Sequence, residues 1–204
     1  MGELPIQKNT YSIEEYLALE EKSEARYEYH QGEVVAMAGA TVTHNEITGN
    51  LYMKLRASLS GGSCRTFMEN VKLEMVKDVF YAYPDVMVTC DASDLDDNLI
   101  QRFPILIAEV SSSSTQIIDR VTKLRRYRQT PALKYYLLVD EYDYWMELYT
   151  CQDKQQNTWF YQDFNDLEEE IDFPELDLKI KLSEIYQGIT LTQDNTEDAT
   201  NPQE

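Results

Sequence analysis

The sequence predicts a mixed α/β fold, a β-sheet flanked by helices, with an N-terminal helix and hairpin and a C-terminal β extension. Three observations lead there. Two runs, ILIAEV (105–110) and YYLLV (135–139), are almost wholly apolar, as expected of strands covered on both faces. The segment between them has helical character and stops before Pro131, so it forms a crossover and makes the two strands parallel neighbours with a right-handed connection. Most of the rest is short β-prone runs separated by turns.

The elements follow in order. Residues 12–21 form a helix: Ser12 is a good N-cap, Glu15 stands at capping-box spacing, and Ile13, Tyr16, Leu17 and Glu20 share one face. Gln31-Gly32 is a two-residue turn between β-prone runs at 26–30 and 33–38, hence a hairpin. Residues 43–59 form a second helix, with Ile47, Leu51, Leu55 and Leu59 at intervals of four and Gly61-Gly62 ending it. Strands follow at 64–68, 71–76 and 84–89, the last after an aromatic approach at 79–83. A polar loop spans 91–98 and a Ser-rich turn 111–115. The crossover helix covers 116–129. Strands at 145–150 and 158–164, short β pieces at 171–173 and 178–180, and a cap at 183–186 complete the chain. Residues 1–191 read as a single domain. Residues 192–204, without large apolar side chains, read as a disordered acidic tail.

With 204 residues, 43% hydrophobic and 27% charged, the composition is ordinary for a globular protein. No apolar run approaches the ~20 residues of a membrane span, and the N-terminus lacks a secretory pattern. Ile6 stands where a myristoylation motif prefers Ser or Thr. Three widely spaced cysteines, Cys64, Cys90 and Cys151, argue against a disulfide framework or a zinc ribbon; they read as free thiols and imply a cytoplasmic location. The net charge of −19 disfavours tight DNA binding, yet it is unevenly spread. Residues 164–178 hold seven acids and no base. Arg120, Lys123, Arg125, Arg126, Arg128 and Lys134 cluster within fifteen residues, so a local basic face inside an acidic protein is compatible with the sequence.

Certain residues stand out chemically. Asp85 opens the apolar run Val86-Met87-Val88, and Glu109 lies inside ILIAEV; a carboxylate among apolar strand residues needs a partner or a metal. Asp119, Lys123 and Tyr127 share one helix face directly after the Glu109 strand, near the strand end where open α/β sheets place their sites. Taken singly, each has a plain structural reading as a strand-end acid or a solvated helix face. Together, two acids on neighbouring strands plus one lysine are the set for metal-assisted phosphodiester hydrolysis. Carboxylate oxygens suit Mg²⁺ or Mn²⁺, and the lysine orients water or stabilises charge. P-loop, Rossmann, zincin and nucleophile-elbow motifs are absent, and with only His30 and His44 a multi-histidine metal site is improbable.

The segments YPDVMV, ILIAEVSSSST, DRVTKLRRYRQ and KYYLLVD, with the early stretch YEYHQGEVVAMAGATVTHNEI, resemble the Uma family of endonucleases. That family belongs to the PD-(D/E)xK superfamily and has the restriction-endonuclease-like fold. The likeness spans residues 11–189. It implies a DNA endonuclease with Asp85 and Glu109 as metal ligands. In the superfamily's namesake motif the lysine stands two residues after the glutamate, where this chain has Ser111. The family pattern places it on the next helix, which matches Lys123. Glu28, Glu33 and His44 match early signature positions, and with Asp119 they are candidate accessory residues; hairpin-edge and helix-terminal roles are their structural alternatives. Arg125, Arg126 and Arg128 are candidate phosphate contacts, or otherwise solvent-facing helix charge. By family analogy the chain is expected to form a homodimer, and from its net charge of −19 to have weak intrinsic affinity for DNA. The alternative to an enzyme is a non-catalytic dimeric interaction protein on a nuclease fold, burying aromatics such as Tyr142, Tyr144 and Trp145.

Overall fold

Ser12 starts the first helix as its spacing from Glu15 predicts. In α1 (Ile13–Lys22) the Ser12 hydroxyl accepts the Glu15 amide and the Glu15 carboxylate accepts the Ser12 amide. The structure, a computed structural model, describes residues 10–37, 39–95, 97–111 and 118–191. The tail at 192–204 and most of the Ser-rich turn lie outside them.

Strands β1 (Tyr27–His30) and β2 (Glu33–Ala36) form the expected hairpin. Gln31 and Gly32 have φ of 50° and 95°, the left-handed pair a two-residue hairpin turn requires. A Cβ at Gly32 would lie 2.5 Å from the Thr10 side chain, so glycine is demanded there by space as well as by φ. Thr41 caps α2 (Val42–Ser58), whose Ile47, Leu51 and Leu55 are fully buried. Next come β3 (Arg65–Met68), β4 (Lys72–Val76), β5 (Phe80–Ala82) and β6 (Val86–Thr89). The segment read as a polar loop contains a short α3 (Ala92–Leu95), followed by β7 (Ile100–Gln101). Within that segment Asp94 is buried and accepts the Thr89 hydroxyl and the amides of Arg102 and Phe103. After β8 (Pro104–Ser111) the chain is π-helical over Ile118–Lys123 and α-helical in α4 (Leu124–Tyr127). The sequence reading expected one continuous α-helix over 116–129. Strands β9 (Tyr135–Asp140), β10 (Met146–Asp153), β11 (Thr158–Phe164), β12 (Glu170–Phe173) and β13 (Leu178–Lys181) precede α5 (Leu182–Ile185).

The strands assemble into two main sheets. One has the order β11-β10-β9-β8-β6-β3; β8 and β9 are its parallel pair, as the crossover requires. The other, β2-β1-β5-β4-β7, gathers the N-terminal hairpin with β4 and β5. The sequence marked β1, β2 and β4; residues 79–83 read only as an approach to the next strand, β7 was not marked, and no second sheet was separated. The β12–β13 hairpin stands as its own ladder.

Alternation then sorts the core into layers. Val86, Val88, Leu106, Ala108 and Leu137 face α2 and the β12–β13 hairpin. Met87, Ile107, Tyr136 and Leu138 face the other way, against Leu124 and Tyr127 of α4 and against Leu73, Phe80 and Ala82 of the second sheet. The far face of that sheet packs Tyr27, Tyr29 and Tyr81 on Tyr16 of α1. Leu124 and Tyr127 of α4 are therefore packed against both sheets.

One expectation is overturned. Cys64 and Cys90 are disulfide-bonded; only Cys151 is a free thiol, and it is buried. The two cysteines flank the paired residues Arg65 and Thr89 on antiparallel β3 and β6, a proximity that spacing along the chain does not reveal. The cytoplasmic inference from three free thiols loses that support. No helix among the described residues is long and apolar enough to cross a membrane.

Candidate active site

The register of β6 on β8 brings the two acids together. Val86 pairs with Ala108 and Met87 with Ile107, so one further step sets Asp85 opposite Glu109. Asp85 immediately precedes β6, so its own contacts, not the ladder, place its side chain. The Asp85 Oδ2 atom accepts the Val110 amide at 2.7 Å, which holds this carboxylate against the backbone next to Glu109.

Glu109 is 2% exposed, and an isolated carboxylate there is untenable. Two groups from the following helix meet it. Lys123 Nζ lies 3.2 Å from Oε2, and the Tyr127 hydroxyl donates to Oε1 at 2.5 Å. The i, i+4 relation of Lys123 and Tyr127 puts both on one acid, as their common helix face predicts. Burial first, then the charges of Glu109 and Glu28, push the Tyr127 phenol far above its ordinary value, so it remains a donor. Tyr127 belonged to the sequence-derived series, but its bond to Glu109 was not foreseen.

Asp85 has a second neighbour, His44 in the first turn of α2, whose Nε2 stands 3.3 Å from Oδ1. Burial disfavours the charged imidazole, but the Asp85 hydrogen bond and charge, with Glu141 and Glu69, outweigh it and raise the His44 pKa. Glu141 is buried and accepts the Thr41 hydroxyl at the N-cap of α2. It was not singled out in the sequence, although it directly follows the apolar β9 run.

The other candidates are placed differently. Glu28, half-buried on β1, is close enough for its charge to act on Tyr127. Glu33 is exposed and pairs across the hairpin with His30, on which its charge acts. The Asp119 side chain lies outside the described residues. Arg126 Nη2 is 3.3 Å from His30 Nδ1, and its guanidinium lies 4.8 Å from the Phe80 ring centroid. Arg128 stacks on Trp159 at 5.4 Å. Arg125 is exposed, so of the three it alone has the plain solvent-facing character first considered for all of them.

Two hard carboxylates on adjacent strands suit Mg²⁺ or Mn²⁺, which bind through one or two protein carboxylates and keep several waters. Among the described residues no group of three or more His, Cys, Asp or Glu side chains is arranged to hold a metal. Asp85 and Glu109 are thus at most two protein ligands, short of the four of a closed structural site.

Comparison with known proteins places the chain as a whole. The chain is 32% identical over 178 residues to the uncharacterized protein slr1290 of Synechocystis, covering 87% of this chain and 92% of that one. A second Synechocystis protein, the uncharacterized sll1609, is 36% identical over 137 residues, covering 66% and 77%. Among solved structures, a crystal structure described as "a putative nuclease belonging to DUF820" from Anabaena variabilis superposes with a TM-score of 0.68 at 16% identity, covering 86% of this chain and 97% of that one. The chain thus has the restriction-endonuclease-like α/β fold expected from its sequence. A family model described as "Putative restriction endonuclease" matches residues 13–192, nearly the full described length, and the chain belongs to that family, Uma2.

Proposed function

We propose that the protein is a metal-dependent endonuclease that hydrolyses DNA phosphodiester bonds. Asp85 and Glu109 are its ligands for Mg²⁺ or Mn²⁺, and Lys123 is the assisting cation. The observation that carries this reading is the buried Glu109 held by Lys123, with the Asp85 carboxylate on the amide of the next residue, Val110. When bound, the ion polarises the phosphate and lowers the pKa of an attacking water. The chain's own contribution is positional. The Val110 amide fixes Asp85, the Tyr127 hydroxyl fixes Glu109, and Lys123 supplies positive charge where negative charge grows. His44 holds the second oxygen of Asp85 from α2. Arg125, exposed on the helix that carries Lys123, is placed for a phosphate contact.

The test uses purified protein, supercoiled plasmid and single-stranded DNA with Mg²⁺, Mn²⁺ or EDTA. Metal-dependent nicking that is lost in Asp85→Ala and in Glu109→Ala is expected. Cleavage that survives both substitutions refutes the mechanism.

A second reading, a non-catalytic dimeric interaction protein, is favoured by the edge strand β11, where Phe160 and Tyr161 remain 53% and 46% exposed. A homodimer through that edge is compatible with either reading, and light scattering after gel filtration measures it. Calorimetry with Mg²⁺ and Mn²⁺ separates the two: heat of binding that Asp85→Ala abolishes selects the enzyme, and no binding at millimolar metal selects the interaction protein.

A further inference from the structure

Beside the paired acids the molecule has a second feature. An open cavity of about 500 Å³ runs between the C-terminal turns of α2 and strand β3. Among the described residues its lining includes Arg56 and Arg65, both exposed, and no acidic residue, in a chain whose net charge is −19. Two aromatic residues, Tyr52 and Phe67, are among its lining; Tyr52 packs with the core on the α2 side and Phe67 with the core on the other side of the sheet, so the cavity wraps the β3 edge. The Arg56 guanidinium lies 5.9 Å from the Tyr52 ring centroid, and its Nη1 donates to the Tyr52 hydroxyl at 3.1 Å, so the cation is held over the groove wall. The Gly61-Gly62 turn borders the mouth without side-chain bulk. β3 is the last strand of its sheet, so its outer edge faces this space without a neighbouring strand.

The groove leads to the acids. Met68, which lines it, pairs with Val86, the residue after Asp85. The next amide, that of Glu69, donates to the Asp85 carbonyl at 2.9 Å. Arg65 stands three residues back along β3, roughly 10 Å at the usual strand rise. Two exposed cations, aromatic residues in the lining and a path ending beside Asp85 together describe a seat for a single nucleic-acid strand.

We propose that this groove binds the sugar–phosphate backbone of a single DNA strand and guides it toward Asp85 and Glu109. The strand's destination rests on the nuclease reading above; the groove itself rests on its own lining. It also accounts for how so acidic a chain handles a polyanion: the favourable charge is local.

The test is fluorescence anisotropy with a fluorescein-labelled 20-nucleotide single strand in EDTA, over a series of salt concentrations. The variants are Arg56→Ala/Arg65→Ala and, as a control, Lys179→Ala/Lys181→Ala on the remote β12–β13 hairpin, all checked for folding by circular dichroism. Loss of two phosphate contacts is expected to weaken binding about tenfold or more at low salt and to flatten the slope of log K against log salt by about 1.4. The hairpin control binds as the wild type does. Unchanged affinity and slope in the arginine variant overturn the proposal. So does a wild type that shows no binding up to roughly 100 μM, the weak end of non-specific affinity. A larger arginine-dependent loss with a 20-base-pair duplex overturns the single-strand assignment. The two readings fail separately. If the nuclease reading is wrong, wild-type protein cleaves nothing in Mg²⁺ or Mn²⁺ while arginine-dependent binding persists. If the groove is wrong, cleavage sensitive to Asp85→Ala proceeds at the wild-type rate in Arg56→Ala/Arg65→Ala.

Discussion

Replacing Lys123 with methionine removes the ammonium 3.2 Å from Glu109 while keeping most of the stem that packs beside it. At that distance and an effective dielectric of 20, the gross attraction is about 5 kcal/mol. Two facts reduce the net effect: Lys123 is 19% exposed and therefore partly screened, and Glu109 keeps the Tyr127 hydrogen bond. A net loss of about 2–3 kcal/mol follows, below the 3–5 kcal/mol of a fully buried pair that is broken. For a chain of this size that is roughly 5–10 °C in Tm. Urea unfolding in EDTA measures it, and Glu109→Gln and the double variant close a cycle that isolates the pair. If Glu109 binds the metal, saturating Mg²⁺ supplies the missing positive charge and narrows the gap between Lys123→Met and wild type. Cleavage nevertheless falls at least about a hundredfold, because the ammonium acts on developing charge. A Lys123→Met protein with the wild-type urea midpoint in EDTA and undiminished cleavage refutes the reasoning.

Tyr127→Phe deletes the hydroxyl donated to the buried Glu109 and leaves the ring packing intact, so a loss of about 1.5–3 kcal/mol in urea unfolding is expected; no change would mean the carboxylate finds another donor. Asp97 is held down to about 2 by the Arg102 guanidinium and the amides of Leu99 and Ile100. Its contribution is full above the ordinary value of 3.8 and is lost as pH falls through about 2, so urea midpoints between pH 5 and pH 2 drop less steeply in Asp97→Asn than in wild type. Reducing the Cys64–Cys90 bridge opens a loop of 26 residues, worth about 3.5 kcal/mol of loop-closure entropy; melting with and without dithiothreitol, with Cys64→Ser as reference, measures it.

Much of this architecture was legible because local chemistry and final structure agree. Ser12 and Glu15 announce a helix start that the capping box realises. ILIAEV and YYLLV are apolar because both faces are covered, and their crossover dictates parallel pairing. Asp85, Glu109 and Lys123 were conspicuous because acids within apolar strands demand partners. What stayed hidden depends on long-range pairing. The β-prone run 71–76 marks β4 as a strand but carries no information on which neighbours it chooses, and 79–83 read as an approach to the next strand rather than as β5, so the second sheet was not separated. Cys64 and Cys90 meet only through the β3–β6 register. Asp94, in a polar run, looks like surface and is buried, because three local donors converge on it. Arg126 and Arg128 resemble free cations in the sequence and are in fact laid over aromatic rings.

The π-helical stretch Ile118–Lys123 gives the site a place where chain length can change without loss of phase. A π turn is an α-helix carrying about one surplus residue, taken up as wider winding, so losing that residue and tightening to α leaves the segments on either side facing nearly as before. Lys123 closes that stretch and Tyr127 lies one turn beyond it, and both bear on Glu109. A deletion between Lys123 and Tyr127, in regular α winding, has no such slack and would turn the phenol through about 100° relative to the amine while leaving every named side chain present.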